Sequence, residues 1–186
     1  MKRLLDIFVS LFAILVLIFP FIVISILIKF DSKGPILHFS KRIGLDNKVF
    51  EMPKFRTMKE STPQVETSKL TNSELYITNL GKFLRKYSID ELPQLFLVII
   101  GTMTLVGPRP ALFNQYELIE KRKNLGIDKI KPGITGLAQI SGRDLMELDT
   151  KIFYDFEYCK KKNFFFDIKI ILKTILIVIK KKGILH

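Results

Sequence analysis

The apolar positions of this chain are distributed unevenly, and the most continuous block comes first. Residues 7–28 read IFVSLFAILVLIFPFIVISILI and carry no charge, about the twenty apolar residues that a helix needs to cross a hydrocarbon core of ~30 Å. The block is too long for a signal-peptide core and no small-x-small cleavage site follows it, so it is expected to be retained. Pro20 removes a backbone donor inside it, which leaves two paths: a kinked span, or a helix-break-helix hairpin that enters and leaves by one face. Lys2 and Arg3 precede the block and Lys29 and Lys33 follow it. Cations at both flanks disfavour placing either flank outside, so residues 1–30 are expected to form a re-entrant membrane helix broken at Pro20.

After Asp31 the pattern changes to short β-prone runs around residues 36–39 and 48–50, separated by Gly and Asn turn signals, which predict a small hairpin. The polar stretch KESTPQVETSKLTNSE has no periodicity and reads as a loop. Helices are expected over residues 75–86, from SIDELPQL to about Ile100, over 112–124 and over 148–161; KPGITG and the residues through Gln139 read as a further short β-like run. In the tail from Phe164 to Lys180, Lys169, Lys173 and Lys180 fall within about 40° on a helical wheel while nearly all other positions are apolar. That is the pattern of a helix lying in a membrane interface, with a core helix carrying a narrow solvent stripe as the alternative. The expectation is an α+β fold, mainly helical with a small β-hairpin. It comprises a membrane-embedded helix (1–30), a cytosol-facing domain (31–162) and an amphipathic interfacial helix (163–186).

Composition narrows the partners. The chain has 186 residues, 48% of them hydrophobic, and a formal net charge of +12. Such a balance suits phosphorylated substrates, acidic lipid headgroups or nucleic acid. Most of the phenylalanine lies in the apolar segments rather than interleaved with basic residues, which argues against a nucleic-acid surface. The single Cys159 excludes an intrachain disulfide and a cysteine-rich zinc site. No phosphate-binding Walker loop or dinucleotide fingerprint occurs. His38 is read as structural, and His186 is the last residue of the sequence.

Against this basic background SIDELPQL places two carboxylates, Asp90 and Glu91, side by side. One reading is a capping box, with Ser88 accepting from the Glu91 amide. Pro93 is tolerated only in a first turn, and both carboxylates would then lie where exposed amides favour the ionised form. The other reading is chemical. Cations recur beside Gly or Pro in KFRTM (Lys54, Arg56), GPRP (Arg109) and SGR (Arg143). The prolines flanking Arg109 suit a rigid bidentate contact to phosphate or carboxylate. Among bound phosphates a carboxylate can act as a nucleophile while a divalent ion shields the repulsion; oxygen ligands and diphosphate suit Mg²⁺ or Mn²⁺.

The motifs KRLLD, the proline-interrupted apolar block, GPILHFSKRIG, PKFRTM, LGKFLRKYSIDELPQL, LVGPRP, KPGITGLAQISGR and the spacing of Lys151, Asp155 and Tyr158 follow one another nearly end to end. In that order they resemble the bacterial sugar transferases that are monotopic phosphoglycosyl transferases. The resemblance implies transfer of a sugar phosphate from a UDP-sugar, N-acetylated in the family expectation, to undecaprenyl phosphate, with release of UMP. It implies Asp90 as the nucleophile that becomes covalently phosphorylated, Glu91 as its partner in metal positioning or proton handling, and Mg²⁺ held at Asp90 and Glu91. It also implies Lys54, Arg56, Arg85, Arg109 and Arg143 as phosphate, uridine or structural contacts, and a place at the cytoplasmic face of a bacterial inner membrane in the first membrane step of a glycan pathway, with membrane lipid and downstream glycosyltransferases as partners. Where relatives break the membrane helix at Ser-Pro, Phe19 precedes Pro20 here. The competing reading is a non-catalytic, membrane-anchored basic adaptor in which the acidic pair only caps a helix.

Overall fold

The computed structural model of the chain describes residues 1–60, 62, 73–142 and 146–180. Arg143, most of the polar stretch after Lys59 and the last six residues lie outside the described residues.

Helix α1 spans Lys2–Asp31. Helical geometry runs through Pro20, so the expected break does not appear as an interruption of the helix; the missing N–H affects the Val16 carbonyl one turn back. One stripe of α1 packs inward. Asp6, Ser10 and Ile28 are buried, Val9, Ala13, Ile14 and Leu17 pack on the main core, and Phe21 and Ile24 pack on a second cluster. This recurrence at intervals of three and four residues is the stripe of a helix lying along a surface. The remaining face stays exposed and apolar, from Leu4 and Phe8 through Phe19 to Phe30.

Strands β1 (Leu37–Ile43) and β2 (Val49–Phe55) form the expected hairpin, longer than its β-prone runs because the pairing continues from Leu37 opposite Phe55 to Ile43 opposite Val49. Its turn holds Asp46 and Asn47 at φ 54° and 57°, the left-handed geometry that tight hairpins favour. Helix α2 (Asn79–Lys86) opens on a Thr78 side-chain cap that accepts from the Gly81 N–H. A 3₁₀ segment, Ile89–Gln94, leads into α3 (Leu95–Ile100), so the single helix expected from SIDELPQL is two elements.

Strand β3 (Thr104–Val106) follows, and β4 (Ala111–Leu112) adds to the free edge of β1. Because β4 takes residues 111–112, the helix expected from residue 112 starts later, as α4 (Tyr116–Asn124). Strand β5 (Gly133–Thr135) pairs in parallel with β3. The backbones approach so closely that a Cβ on Gly133 would lie 2.1 Å from the Gly107 nitrogen, which accounts for glycine in both KPG and VGP. The β-like run stops at Thr135, and residues 137–141 are instead helical, as α5 (Leu137–Ser141). Helices α6 (Leu148–Lys161) and α7 (Phe164–Ile179) complete the chain. The expectation of a mainly helical α+β fold with a small sheet holds.

The core joins β2, α3, β3, α6 and α7 through Met52, Leu95, Val98, Met103, Val106, Tyr158 and Ile170. Polar contacts fasten the first turns of α1 to it. Asp6 accepts from the Thr104 hydroxyl at 2.7 Å and from the Leu105 N–H at 3.1 Å. Arg3 donates to the Val98 and Ile99 carbonyls at the end of α3 at 2.5 and 2.6 Å. Lys2 pairs with buried Asp167 of α7 and donates to the Val106 carbonyl. Asp6→Ala leaves a buried hydroxyl and a buried N–H unpartnered, a loss of about 1–3 kcal/mol. Thermal unfolding in detergent should show a midpoint several degrees lower, and an unchanged midpoint would mean that this end of α1 is not docked.

Candidate active site

Two turns and a strand bring the site together. Ser88 adopts a left-handed conformation, φ 54° and ψ 24°, and its side chain makes no capping bond. The capping-box reading therefore fails; the Glu91 N–H donates to the Ser88 carbonyl instead, at 3.3 Å. The tight turn after α2 points the carboxylates of Asp90 and Glu91 toward β2 and the loop after β3. Pro93 sits within the 3₁₀ segment, and Gln94 is buried behind the pair.

Glu91 takes up the nearby cations. Arg109 meets it in a two-pronged contact, Nη2 to Oε1 at 2.6 Å and Nη1 to Oε2 at 3.1 Å, and Lys54 Nζ donates to Oε1 at 2.7 Å. Asp90 is treated differently. It is 7% exposed, Lys54 stands 4.0 Å away, and among the described residues no group hydrogen-bonds its carboxylate. The two acids separate accordingly. Burial pushes Asp90 up to about 6, with Lys54 opposing and the neighbouring Glu91 charge adding to the rise. Burial would raise Glu91 as well, but Arg109 and then Lys54 outweigh it and hold its carboxyl well below the usual range. Adjacent carboxylates driven apart in this way mark different roles for the two.

Arg85 donates through Nε to the Thr57 hydroxyl at 2.9 Å; burial lowers its guanidinium and the charge of Asp90 offsets part of that. Its terminal nitrogens make no hydrogen bond among the described residues. The structure thus gathers Lys54, Arg85 and Arg109 around the dyad. Arg56 is not among them. It lies just past the end of β2, and its Nη2 donates to the Ile28 and Ser32 carbonyls and the Ser32 hydroxyl, closing the end of α1.

His38, read as structural, pairs in register with Lys54 across β1 and β2. Desolvation and then Lys54, Arg42 and Arg85 lower its pKa, so its ring is neutral at pH 7. The signal that could have drawn it to the site was strand periodicity: His38, Ser40 and Arg42 share the face that carries Met52 and Lys54.

Among the described residues no group of three or more His, Cys, Asp or Glu side chains converges on one point, so a dedicated protein cage for a metal is absent there. Magnesium usually takes only one or two carboxylates and completes its shell with water and substrate phosphate. Asp90, whose carboxylate accepts no hydrogen bond among the described residues, with Glu91 beside it fits that mode. A buried carboxylate dyad within a ring of cations, on a domain fastened to an apolar helix, has the chemistry to receive an anionic group such as a phosphate.

Comparison with known proteins agrees with that class. The bacterial sugar transferase family matches residues 1–181, and the chain belongs to that family. It is 41% identical over 183 residues to a UDP-glucose:undecaprenyl-phosphate glucose-1-phosphate transferase of Klebsiella pneumoniae, covering 94% of this chain and 39% of the relative. It is 35% identical to the exopolysaccharide production protein ExoY of Rhizobium meliloti, covering 98% of this chain and 87% of the relative. An undecaprenyl-phosphate galactose phosphotransferase of Salmonella typhimurium is 36% identical over 81% of this chain and 34% of its own length. The chain thus spans less than half of two of these relatives and most of the third.

The raised Asp90 makes a stability prediction. In the folded state this group holds its proton more tightly than in the unfolded chain, so its ionisation above pH 6 costs folding free energy, up to roughly 3 kcal/mol. Asp90→Asn should raise the unfolding midpoint at pH 7.5. The gain should shrink as pH falls from about 6 toward 4, between the folded and unfolded pKa values, and vanish only below that window, where wild-type Asp90 is protonated in both states. A variant less stable than wild type at pH 7.5 would contradict the burial of an ionised Asp90.

Proposed function

We propose that this protein transfers a sugar 1-phosphate from a UDP-sugar to undecaprenyl phosphate and releases UMP, through a covalent intermediate on Asp90. The observation that carries the reading is the division of the dyad: Glu91 takes the hydrogen bonds of Arg109 and Lys54, and among the described residues none reaches the carboxylate of Asp90, which is left to attack. The names of the relatives support the substrate classes.

In the first step a carboxylate oxygen of Asp90 attacks the phosphorus that bears the sugar. An oxygen–phosphorus bond to Asp90 forms, the bond to the bridging diphosphate oxygen breaks, and that oxygen leaves as part of UMP. In the second step an oxygen of the lipid phosphate attacks the same phosphorus and the Asp90 carboxylate is regenerated, giving the lipid diphosphosugar. Two steps let two anionic substrates use the site in turn. Arg85, whose terminal nitrogens make no hydrogen bond among the described residues, offers a bidentate phosphate contact, and Lys54 lies between the carboxylates where charge changes hands. Arg109 orients Glu91. A magnesium ion, with manganese as an alternative, held by Asp90, Glu91 and the diphosphate would supply neutralisation of phosphate charge.

The packing of α1 supports a membrane arrangement. Both of its ends rest on one domain, Lys2, Arg3 and Asp6 at one end and Ile28 at the other. A helix that crossed a bilayer would place these two ends on opposite sides of it, where one domain could not hold both. We therefore read α1 as entering and leaving by one face, with its exposed apolar side in lipid and α7 in the interface. Leu172, Leu176 and Ile179 of α7 are exposed and apolar. The face is the cytoplasmic one of a bacterial inner membrane, where UDP-sugars occur.

The decisive assay is UMP release by purified protein offered undecaprenyl phosphate and a panel of UDP-sugars, with and without Mg²⁺. The panel holds N-acetylated sugars, expected from the resemblance, and the glucose and galactose for which relatives are named. Mg²⁺-dependent release that Asp90→Asn abolishes is the expected result. Lipid binding that survives with no nucleotide consumed by any donor would favour the adaptor. Because the ionised carboxylate is the reactive form, kcat/KM should rise with pH, about tenfold per unit below pH 6, and level off above it. A profile flat from pH 5 to 8 would remove Asp90 as the titrating nucleophile. For topology, Lys2→Cys and a cysteine on the exposed surface of α4, each in a Cys159→Ser background, should react from the same side of sealed vesicles. Labelling from opposite sides would establish a span.

A further inference from the structure

Residues 107–110, GPRP, carry Arg109 but cannot hold themselves in shape. Pro108 and Pro110 have no N–H, so the segment has more acceptors than donors and is held from outside. The Val106 carbonyl just before it receives Lys2 at 3.0 Å and lies 2.9 Å from the Tyr158 hydroxyl. The Pro108 carbonyl accepts from the Gly133 N–H at 2.9 Å, and the Pro110 carbonyl from Arg42 at 3.3 Å. The hold on residue 109 itself is Arg122 of α4, whose Nη1 donates to the Arg109 carbonyl at 2.8 Å. The other side of the Arg122 guanidinium is engaged by Asp155 of α6, Nε and Nη2 lying 3.1 and 2.5 Å from Oδ2. Both residues are buried, at 7% and 1% exposure.

We propose that the Arg122–Asp155 pair is a positioning device for the reaction: it fixes the backbone at residue 109 so that the Arg109 guanidinium meets Glu91 in its two-pronged geometry rather than turning to Asp90. The inference rests on the transferase reading for its kinetic consequences and on geometry alone for its structural ones. A buried ion pair is weak evidence of stabilisation, since apolar side chains of similar volume often do as well. Its directed contact here is with the residue that organises the dyad. It also gives a task to Asp155, which the sequence marks by its spacing from Lys151 and Tyr158, and to Arg122, which belongs to none of the motifs.

The test replaces the pair by apolar residues, Arg122→Met with Asp155→Leu, so that no lone charge remains buried. Unfolding should stay close to wild type while UMP release falls on the order of 10²-fold, mostly in kcat, the scale expected for misplacement of about 1 Å. In an Arg109→Ala background the same replacement should cost less than about threefold, because the contact it serves is gone. Equal losses in both backgrounds would assign the pair to general packing and overturn the proposal. A second readout needs no activity: the guanidinium ¹H–¹⁵N signals of Arg109, identified by their loss in Arg109→Lys. They should be shifted or exchange-broadened in the pair variant, and an unchanged spectrum overturns the proposal by itself. If wild type releases no UMP from any donor but the Arg109 signals move as expected, the transferase reading falls and the positioning device stands.

Discussion

The contact on which this site depends is the enclosure of Glu91 by Arg109 and Lys54. A carboxylate withdrawn from water needs charge-assisted partners on its oxygens, and these come from two separate parts of the chain, β2 and the loop after β3. Satisfying Glu91 has a consequence for its neighbour. Lys54 and Arg109 give their hydrogen bonds to Glu91, so Asp90 is left in a desolvated place with Lys54 4.0 Å away and, among the described residues, no hydrogen-bond donor on its carboxylate. The acid that looks equivalent in sequence is thereby made different in energy, one stabilised as an anion and one held near the pH at which it can exchange a proton.

That arrangement requires precise backbone placement in segments with little regular structure. The 3₁₀ segment carrying the dyad is bounded by a left-handed Ser88 and followed by the short helix α3. The GPRP loop is suspended from side chains of α1, β1, α4 and α6. Such segments derive their order from tertiary contacts rather than from a local ladder. It follows that the apolar helix α1 is also a structural support of the site: Lys2 reaches the carbonyl of Val106, and Arg3 closes the end of the helix that follows the dyad.

Several features were legible in the order of residues because their causes are local. The uncharged block, the hairpin, the spacing of α6 and the apolar tail each reflect a periodicity or a turn residue that acts within a few positions. The acidic pair stood out against the basic charge for the same reason, and the order of motifs carried the family. Lys54, Arg85 and Arg109 were also recognisable from sequence, as cations beside Gly or Pro or within matched motifs, and they do meet at the dyad.

What the sequence could not distinguish were alternatives settled by contacts far apart in the chain. Arg56 stands two residues from Lys54, yet beyond the end of β2 it is taken up by the Ile28 and Ser32 acceptors at the end of α1, and Arg122 carries no local mark although it supports Arg109 from another helix. Ser88 matched a capping box, but the turn after α2 put it in a left-handed conformation that takes its side chain out of the cap. His38 joined the site only through its register opposite Lys54. By itself the sequence determined which segments are apolar, where the chain turns and which charges are present. The tertiary structure decided which charges meet, because pairing energies depend on burial and on distances of a few ångströms that no spacing along the chain specifies.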